Sequence, residues 1–497
     1  MRLRFHLTFF ALMATAMFGC APAVGLTVLY FNDAHEIAPV DDGVRGGIAR
    51  LAGLIEAERA GESPVLVLFG GDLAGGTLFG LMRGEPMVEA MNAIGIDAAG
   101  FGQHEFDHGV DQARRLVDLS DFPWVTANLT ETDGRPFHGL DRYLLLDAGG
   151  VRVGVFGLTT AMATTRNEGR VLEQDVIAAA RTAVAGLERA GAQLIIALTQ
   201  QPVEEDLAMV REVPGIDLVL GEEMSETVSR IDHVAGTYLA RSAGNISSLI
   251  RARWLGPETT DWRLSVIPVD ASAPEHPELA KMRDHYTALL EQRLAEPVLA
   301  IEQDWRLSRE TARSADTRLG HLVADAYRHA MASDIGFATA GGLRADLVAE
   351  PPALTVGDVA AVLPFDNRLV RLRATGADVR TLMEQALAGH PAARNAYPLV
   401  SGLTMRFDPE APPGARIQSL THDGHPIASD QVLSIAVPLF LAEGGDGYTL
   451  LAGLEREQVG PLDREALAAF LARTGASGPT RPDPARVIAA PGSADLP

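Results

Sequence analysis

Short apolar runs alternate with amphipathic stretches from Leu26 to about Pro268. Leu26–Phe31, Val65–Phe69, Val151–Gly157, Leu194–Leu198 and Ile216–Leu220 read as strands, and Ile48–Arg59 and Glu85–Ile94 carry helical periodicity. Alternation of this kind predicts α/β layering, with the chemistry carried by the polar or Gly-rich turns at the strand ends. Between Ala271 and Gln303 the composition shifts to Pro, Glu, Lys and Arg, and Pro277–Leu294 reads as a polar amphipathic helix joining two domains. A second α/β block follows, with its own Gly-rich turns and a short helix near Asp463–Arg473. The expected division is a signal segment over 1–23, a first domain over 24–270, a linker helix over 271–303, a second domain over 304–475 and a flexible tail over 476–497.

Composition narrows the field. Of 497 residues, 47% are hydrophobic and 22% charged, which excludes wholesale disorder, collagen and coiled coil. With 65 acidic and 42 basic residues the formal charge is −23, the wrong sign for a nucleic-acid polymer as partner. A single cysteine, Cys20, rules out an intramolecular disulfide and a Cys-rich metal site. Arg2 and Arg4 precede an apolar run from Phe5 to Phe18 that closes on Gly19-Cys20-Ala21, the layout of a secretory signal. The expectation is export to a periplasm, with a lipid anchor at Cys20 or, alternatively, cleavage after Ala23.

Five strand-end turns hold polar residues that apolar packing does not require: Asn32-Asp33-Ala34-His35, Gly70-Gly71-Asp72, Gly102-Gln103-His104-Glu105-Phe106-Asp107, Thr199-Gln200 and Gly221-Glu222-Glu223-Met224-Ser225. Carboxylates and imidazoles delivered by successive strand ends are what a two-cation hydrolase needs. His104 and Asp107, three apart after a glycine turn, suit a hydrogen-bonded acid and orienter. In the second block, Gly341-Gly342-Leu343-Arg344 offers a guanidinium after a flexible turn, and Phe365 and Tyr448 offer flat apolar faces.

In order and spacing these motifs resemble the calcineurin-like metallophosphoesterases, specifically the 5′-nucleotidase family with its UDP-sugar hydrolases, over nearly the whole mature chain. The resemblance implies a four-layer αββα metallophosphoesterase sandwich followed by an α/β nucleotide-specificity domain. It implies that Asp33, His35 and Asp72 hold divalent ions and that His104 and Asp107 form the catalytic dyad. Arg313, Arg344 and Asn367 would hold the substrate, with Phe365 and Tyr448 sandwiching its base. This chain departs from the family at four positions, three of them imidazoles: Gln103 stands for Asn beside the dyad, Gln200 for a His, and Glu223 and Ser225 for the two His of the last turn. Gln103, Gln200 and Glu223 are then candidate oxygen ligands, which favour Mn or Mg over Zn and allow a single ion.

The expected function is an exported, monomeric, metal-dependent phosphoesterase that releases phosphate from nucleotides or related phosphate esters. The alternative is a nucleotide or phosphate-ester binding protein that has lost one metal site. A thiosulfate-ester hydrolase of the same superfamily is disfavoured, because Glu105 stands after His104 where those relatives carry Trp.

Overall fold

The computed structural model describes residues 25–75, 79–259, 261–365, 367–392, 395–474 and 484–490. The signal segment and Cys20 lie outside these residues.

The apolar run Leu26–Phe31 is buried along its whole length. Period-two geometry sends Val28 and Tyr30 to one face of the sheet and Leu29 and Phe31 to the other. This strand is central in a five-stranded sheet whose spatial order is Trp262–Pro268, Ser248–Trp254, Leu26–Phe31, Val65–Phe69, Ala98–Ala99. A six-stranded sheet runs Arg230–Val234, Thr237–Arg241, Leu218–Gly221, Leu194–Gln200, Val151–Thr159, Leu144–Ala148. Val28, Tyr30, Leu66 and Leu68 pack on Val153, Val155, Ile196 and Leu198 to form the inner core between the sheets. Leu29, Phe31, Val67 and Phe69 pack outward on the helices Ile48–Arg59, Glu85–Ile94 and Val110–Leu119. On the far side, Phe156, Leu158, Ile195 and Ala197 meet the helices Val176–Ala190 and Val203–Glu212. The result is helix, sheet, sheet, helix, as the alternation of the sequence predicts.

The helix Pro277–Leu294 presents Leu279, Met282, Tyr286 and Leu290 to the outer core of the first domain. Its Tyr286 hydroxyl also donates to Glu89. It therefore packs as part of that domain's helical layer as well as leading out of it.

The second domain has its own core around a five-stranded sheet in the order Pro398–Ser401, Ile335–Thr339, Val432–Pro438, Arg368–Thr375, Glu455–Leu462. A four-stranded sheet contains a correction to the expected flexible tail. Val487–Ala489 pairs in parallel with Thr404–Phe407, Met405 opposite Val487, and Val487 is buried. Three residues gain a ladder there and Val487 an apolar seat, which ties down part of the segment over 476–497.

Candidate functional site

Parallel register brings the predicted turns together. Leu26–Phe31 pairs with Val65–Phe69 so that Phe31 lies opposite Phe69, and the two chains leave the sheet side by side. Beyond that point Asp33 N–H donates to the Gly71 carbonyl at 3.1 Å and Ala34 N–H to the Asp72 carbonyl at 2.9 Å. In the other sheet Thr159 lies opposite Gln200, and Thr199 opposite Gly221. Three bonds then join the two sheet ends: Tyr30 hydroxyl to the Gly221 carbonyl at 2.9 Å, Thr159 hydroxyl to the Phe101 carbonyl at 2.7 Å, and Asn32 Nδ2 to Glu223 Oε2 at 3.3 Å.

The backbone at this junction is held in unusual conformations. Asp33 and Asp72 have φ of 49° and 65°, left-handed values that Asp tolerates better than most residues. Such conformations persist where the surroundings over-determine them. Gly102 is required for another reason, since a Cβ there would lie 2.0 Å from Asp72 Oδ1.

Asp33 and Asp72 are both buried. Burial, a hydrogen bond with Glu223 and the charges of Glu223 and Asp72 raise the Asp33 carboxyl well above the usual carboxylate range. Burial and Glu105 likewise raise Asp72, against the opposing pull of His104. His35 is pushed down to about 3 by burial and by His104, so its imidazole is neutral. Its Nε2 lies 3.7 Å from Asp33 Oδ1 and is buried with no hydrogen-bond partner among the described residues. Crowded buried carboxylates beside a neutral, unpartnered imidazole nitrogen fit a divalent cation in charge and in donor type. Among the described residues no three His, Cys, Asp or Glu side chains form a ready-made ligand set. Completing one would call on oxygen donors such as Gln103 and Gln200. Gln103 Oε1 accepts the Thr164 hydroxyl at 2.9 Å, and the buried Gln200 Nε2 has no hydrogen-bond partner among the described residues. Both glutamines and Glu222 line a cleft of about 730 Å³ together with Glu173, Asp175 and Glu205.

His104 Nδ1 lies 2.8 Å from Asp107 Oδ2, within hydrogen-bond distance. Burial pushes the Asp107 carboxyl up, but His104 and Arg368 outweigh it and hold the group well below the usual range. Asp72 Oδ1 accepts the His104 backbone N–H at 2.7 Å, and the His35 and His104 rings meet edge to face at 5.2 Å. His104, Asp72, His35 and Asp33 therefore form one contiguous cluster.

Sequence reasoning missed the contributions of Glu105, the Arg241–Asp206 pair and Arg368 here. Glu105, fully buried, accepts the backbone N–H groups of Asp72 at 3.1 Å, Leu73 at 2.7 Å and Gly102 at 2.6 Å, pinning two site loops together. Arg241 donates to the Glu222 carbonyl at 3.0 Å and pairs with the buried Asp206 below the site. Arg368, from the second domain, reaches Asp107. Asn128, by contrast, spends its amide on the backbone of Thr159 at 2.7 and 3.0 Å, which is a structural role.

In the second domain, Arg344, Phe365 and Asn367 line one cavity of about 420 Å³ together with Thr339, Asn395 and Phe440. The Arg344 guanidinium lies 5.2 Å from the centre of the Phe365 ring. Tyr448 is placed differently from the expectation. Its ring is fully buried edge-on to Phe337 at 5.5 Å, and its hydroxyl donates to the Ala396 carbonyl at 2.9 Å. The exposed aromatic that lines the cavity with Phe365 is Phe440, Tyr327 being buried in its wall, and Phe365 and Phe440 are 45% and 50% exposed. Phe440 packs on Gly445, where a Cβ would lie 2.5 Å from its ring. Arg313 ends the turn Thr311–Arg313 and pairs with Glu310 at 3.9 Å, outside the residues lining this cavity.

Comparisons agree with this architecture. The family described as 5′-nucleotidase, C-terminal domain, matches residues 297–453. The chain is 29% identical over 504 residues to the trifunctional nucleotide phosphoesterase protein YfkN of Bacillus subtilis, covering 90% of this chain and 34% of that one. It thus spans about a third of the Bacillus protein. It is 26% identical to the snake venom 5′-nucleotidase of Gloydius brevicauda, covering 90% of this chain and 86% of that one. The crystal structure of a 5′-nucleotidase precursor from Thermus thermophilus shares the fold with a TM-score of 0.60 at 23% identity, covering 94% and 99% of the two chains. Residues 297–453 thus match the C-terminal domain of the 5′-nucleotidases, and most of the chain is similar in sequence to nucleotide phosphoesterases and in fold to a 5′-nucleotidase precursor.

Proposed function

We propose that the protein releases phosphate from nucleotides or related phosphate esters with the help of a divalent cation, Mn or Mg in preference to Zn. The observation that carries this reading is the His104–Asp107 pair, with its 2.8 Å hydrogen bond, in one cluster with the buried Asp33 and Asp72. Asp33, His35 and Asp72 would hold the cation, with Gln103, Gln200 and Glu223 as further oxygen donors. A bound divalent cation supplies Lewis acidity at a phosphoryl oxygen and lowers the pKa of a bound water.

His104 would give its proton to the oxygen that leaves phosphorus, and Asp107 keeps the imidazole in the tautomer and orientation for that transfer. Arg344 and Arg313 would meet the substrate anion, since a guanidinium fork matches phosphate oxygens. Asn367 would add a polar contact, and Phe365 and Phe440 would take the base between them. Tyr448 would support that pocket from behind. Phe365→Ala and Phe440→Ala should each raise KM for AMP by about tenfold, because base stacking on an aromatic ring contributes roughly 1–3 kcal/mol. Steady-state kinetics of the two variants beside Tyr448→Phe, expected to be near wild type, checks this assignment.

The test of the function is phosphate release from AMP and from a chromogenic phosphodiester across Mn²⁺, Mg²⁺, Co²⁺ and Zn²⁺, with bound metal measured on the same samples. Turnover with Mn²⁺ or Mg²⁺ is expected. Asp33→Asn should lower both bound metal and turnover. Protein that binds no metal and is inert with every ion would remove the hydrolytic reading.

A second reading draws on the hydrogen bonds already satisfied within the cleft, those of Asp33, Gln103 and Asn32. A site so closed on itself suits a nucleotide-binding protein without turnover. Calorimetric binding of AMP that ignores Mn²⁺, without phosphate release, would favour it. For localisation, the N-terminal signal supports export with a lipid at Cys20, and incorporation of labelled palmitate lost in Cys20→Ser would test it.

A further inference from the structure

The second domain contributes one side chain to the dyad of the first. Arg368 opens the strand Arg368–Thr375 and follows the turn that carries Phe365 and Asn367. It is only 3% exposed, and all three nitrogens of its guanidinium are committed. Nε donates to Asp107 Oδ1 at 3.2 Å, Nη2 to the Asp107 carbonyl, and Nη1 to the Gly460 carbonyl at 3.2 Å on the neighbouring strand of its own domain. Asp107 therefore divides its carboxylate, Oδ2 to His104 and Oδ1 to Arg368. A second bond crosses the domains nearby, from Arg456 Nη1 to the Ala163 carbonyl at 3.0 Å.

We infer that Arg368 is a positioning residue that sets Asp107, and through it His104, so that the dyad is complete only when the two domains meet as they do here. A carboxylate fixed at one oxygen can still rotate about its Cβ–Cγ bond, whereas one held at both oxygens and at its own carbonyl cannot. A planar fork with fixed N–H directions is the group that reaches two acceptors on one residue while remaining tied to its own sheet. Gly460 anchors the guanidinium from behind, so movement of the second domain is transmitted to Asp107. Arg368 is adjacent to Asn367 and three residues from Phe365, so occupation of the nucleotide cavity and alignment of the dyad act on one short segment. Domain-to-domain packing alone would not require the carboxylate oxygen opposite His104 to be the acceptor.

This inference rests on the phosphoesterase reading of His104, and its test separates the two. With AMP as substrate, Arg368→Gln should lower kcat by about 10- to 100-fold with KM within about threefold, and Arg368→Lys should recover part of that loss. His104→Ala combined with Arg368→Gln should be no slower than His104→Ala alone, because Arg368 acts through the imidazole. Multiplying losses, or an unchanged kcat in Arg368→Gln, would overturn the assignment. Should Arg368→Gln fail to fold, Arg368→Lys takes its place in the same cycle. The crystal structure of the variant gives a readout without turnover: Asp107 rotated away from His104 is expected, and a retained 2.8 Å contact would refute the inference. Wild-type protein that releases no phosphate defeats the phosphoesterase reading and leaves the crystal structure to decide the role of Arg368.

Discussion

Replacing His104 by alanine is expected to lower kcat for AMP hydrolysis by about 10²- to 10⁴-fold, the usual contribution of a placed general acid. KM should stay within about threefold of wild type. The split follows from the geometry. His104 bonds Asp107 within the first domain, whereas the cavity of Arg344, Phe365 and Phe440 lies in the second, so the dyad can be lost without touching the residues that would hold the nucleotide. Asp107→Asn should lose less, because the amide keeps the shape of the bond while weakening its hold on the imidazole. Measured kcat and KM for the two variants check both statements. Equal losses in kcat and in affinity for His104→Ala would mean that the ring serves binding instead.

The second large effect is on stability. Asp206 is fully buried at the start of the helix Val203–Glu212, and accepts from Thr199 at 3.0 Å, from Gln201 at 2.6 Å and from Arg241. Burial pushes its carboxyl up to about 6, and the guanidinium and the two other donors offset only part of that cost. Asp206 is the buried counter-charge on which Arg241 depends. Asp206→Ala leaves a guanidinium uncompensated in the interior, a change that costs about 3–5 kcal/mol. Denaturant unfolding followed by tryptophan fluorescence should show the first domain opening earlier by that amount. Replacing both partners, Asp206→Leu with Arg241→Met, should recover most of it. If Asp206→Ala unfolds like the wild type, the pair is not the anchor described. The same substitution loosens the hold of Arg241 on the Glu222 carbonyl, so the turn that carries Glu223 should shift with it.

The parts of the site legible in the sequence are those written into single turns. Asn32-Asp33-Ala34-His35, Gly70-Gly71-Asp72 and the His104…Asp107 spacing each follow an apolar strand or a glycine turn, and parallel register then places them together. What was not legible comes from packing between distant segments. Arg368 and Asp107 are 261 residues apart, and no local pattern marks one as the partner of the other. Glu105 lies inside the dyad motif, yet nothing in its neighbours announces that three backbone N–H groups converge on it. Phe440 was hidden because the Gly-rich turn drew attention to Tyr448. That turn presents the flat face of Gly445 to Phe440 while Tyr448 turns into the core. Val487–Ala489 is too short a run to stand out from the Pro- and Ala-rich sequence around it, and its strand character depends on the edge offered by Thr404–Phe407.

The clustering of Asp33, His35 and Asp72 with His104 and Asp107 as a phosphoester-cleaving centre is tested most directly by phosphate release from AMP, measured on chelator-stripped protein before and after Mn²⁺ is restored. Release near background is expected in the stripped protein and recovery on addition of the ion, with Asp33→Asn failing to recover. Release that is unaffected by stripping, or that stays at background when Mn²⁺ and then Mg²⁺ are supplied, would contradict it.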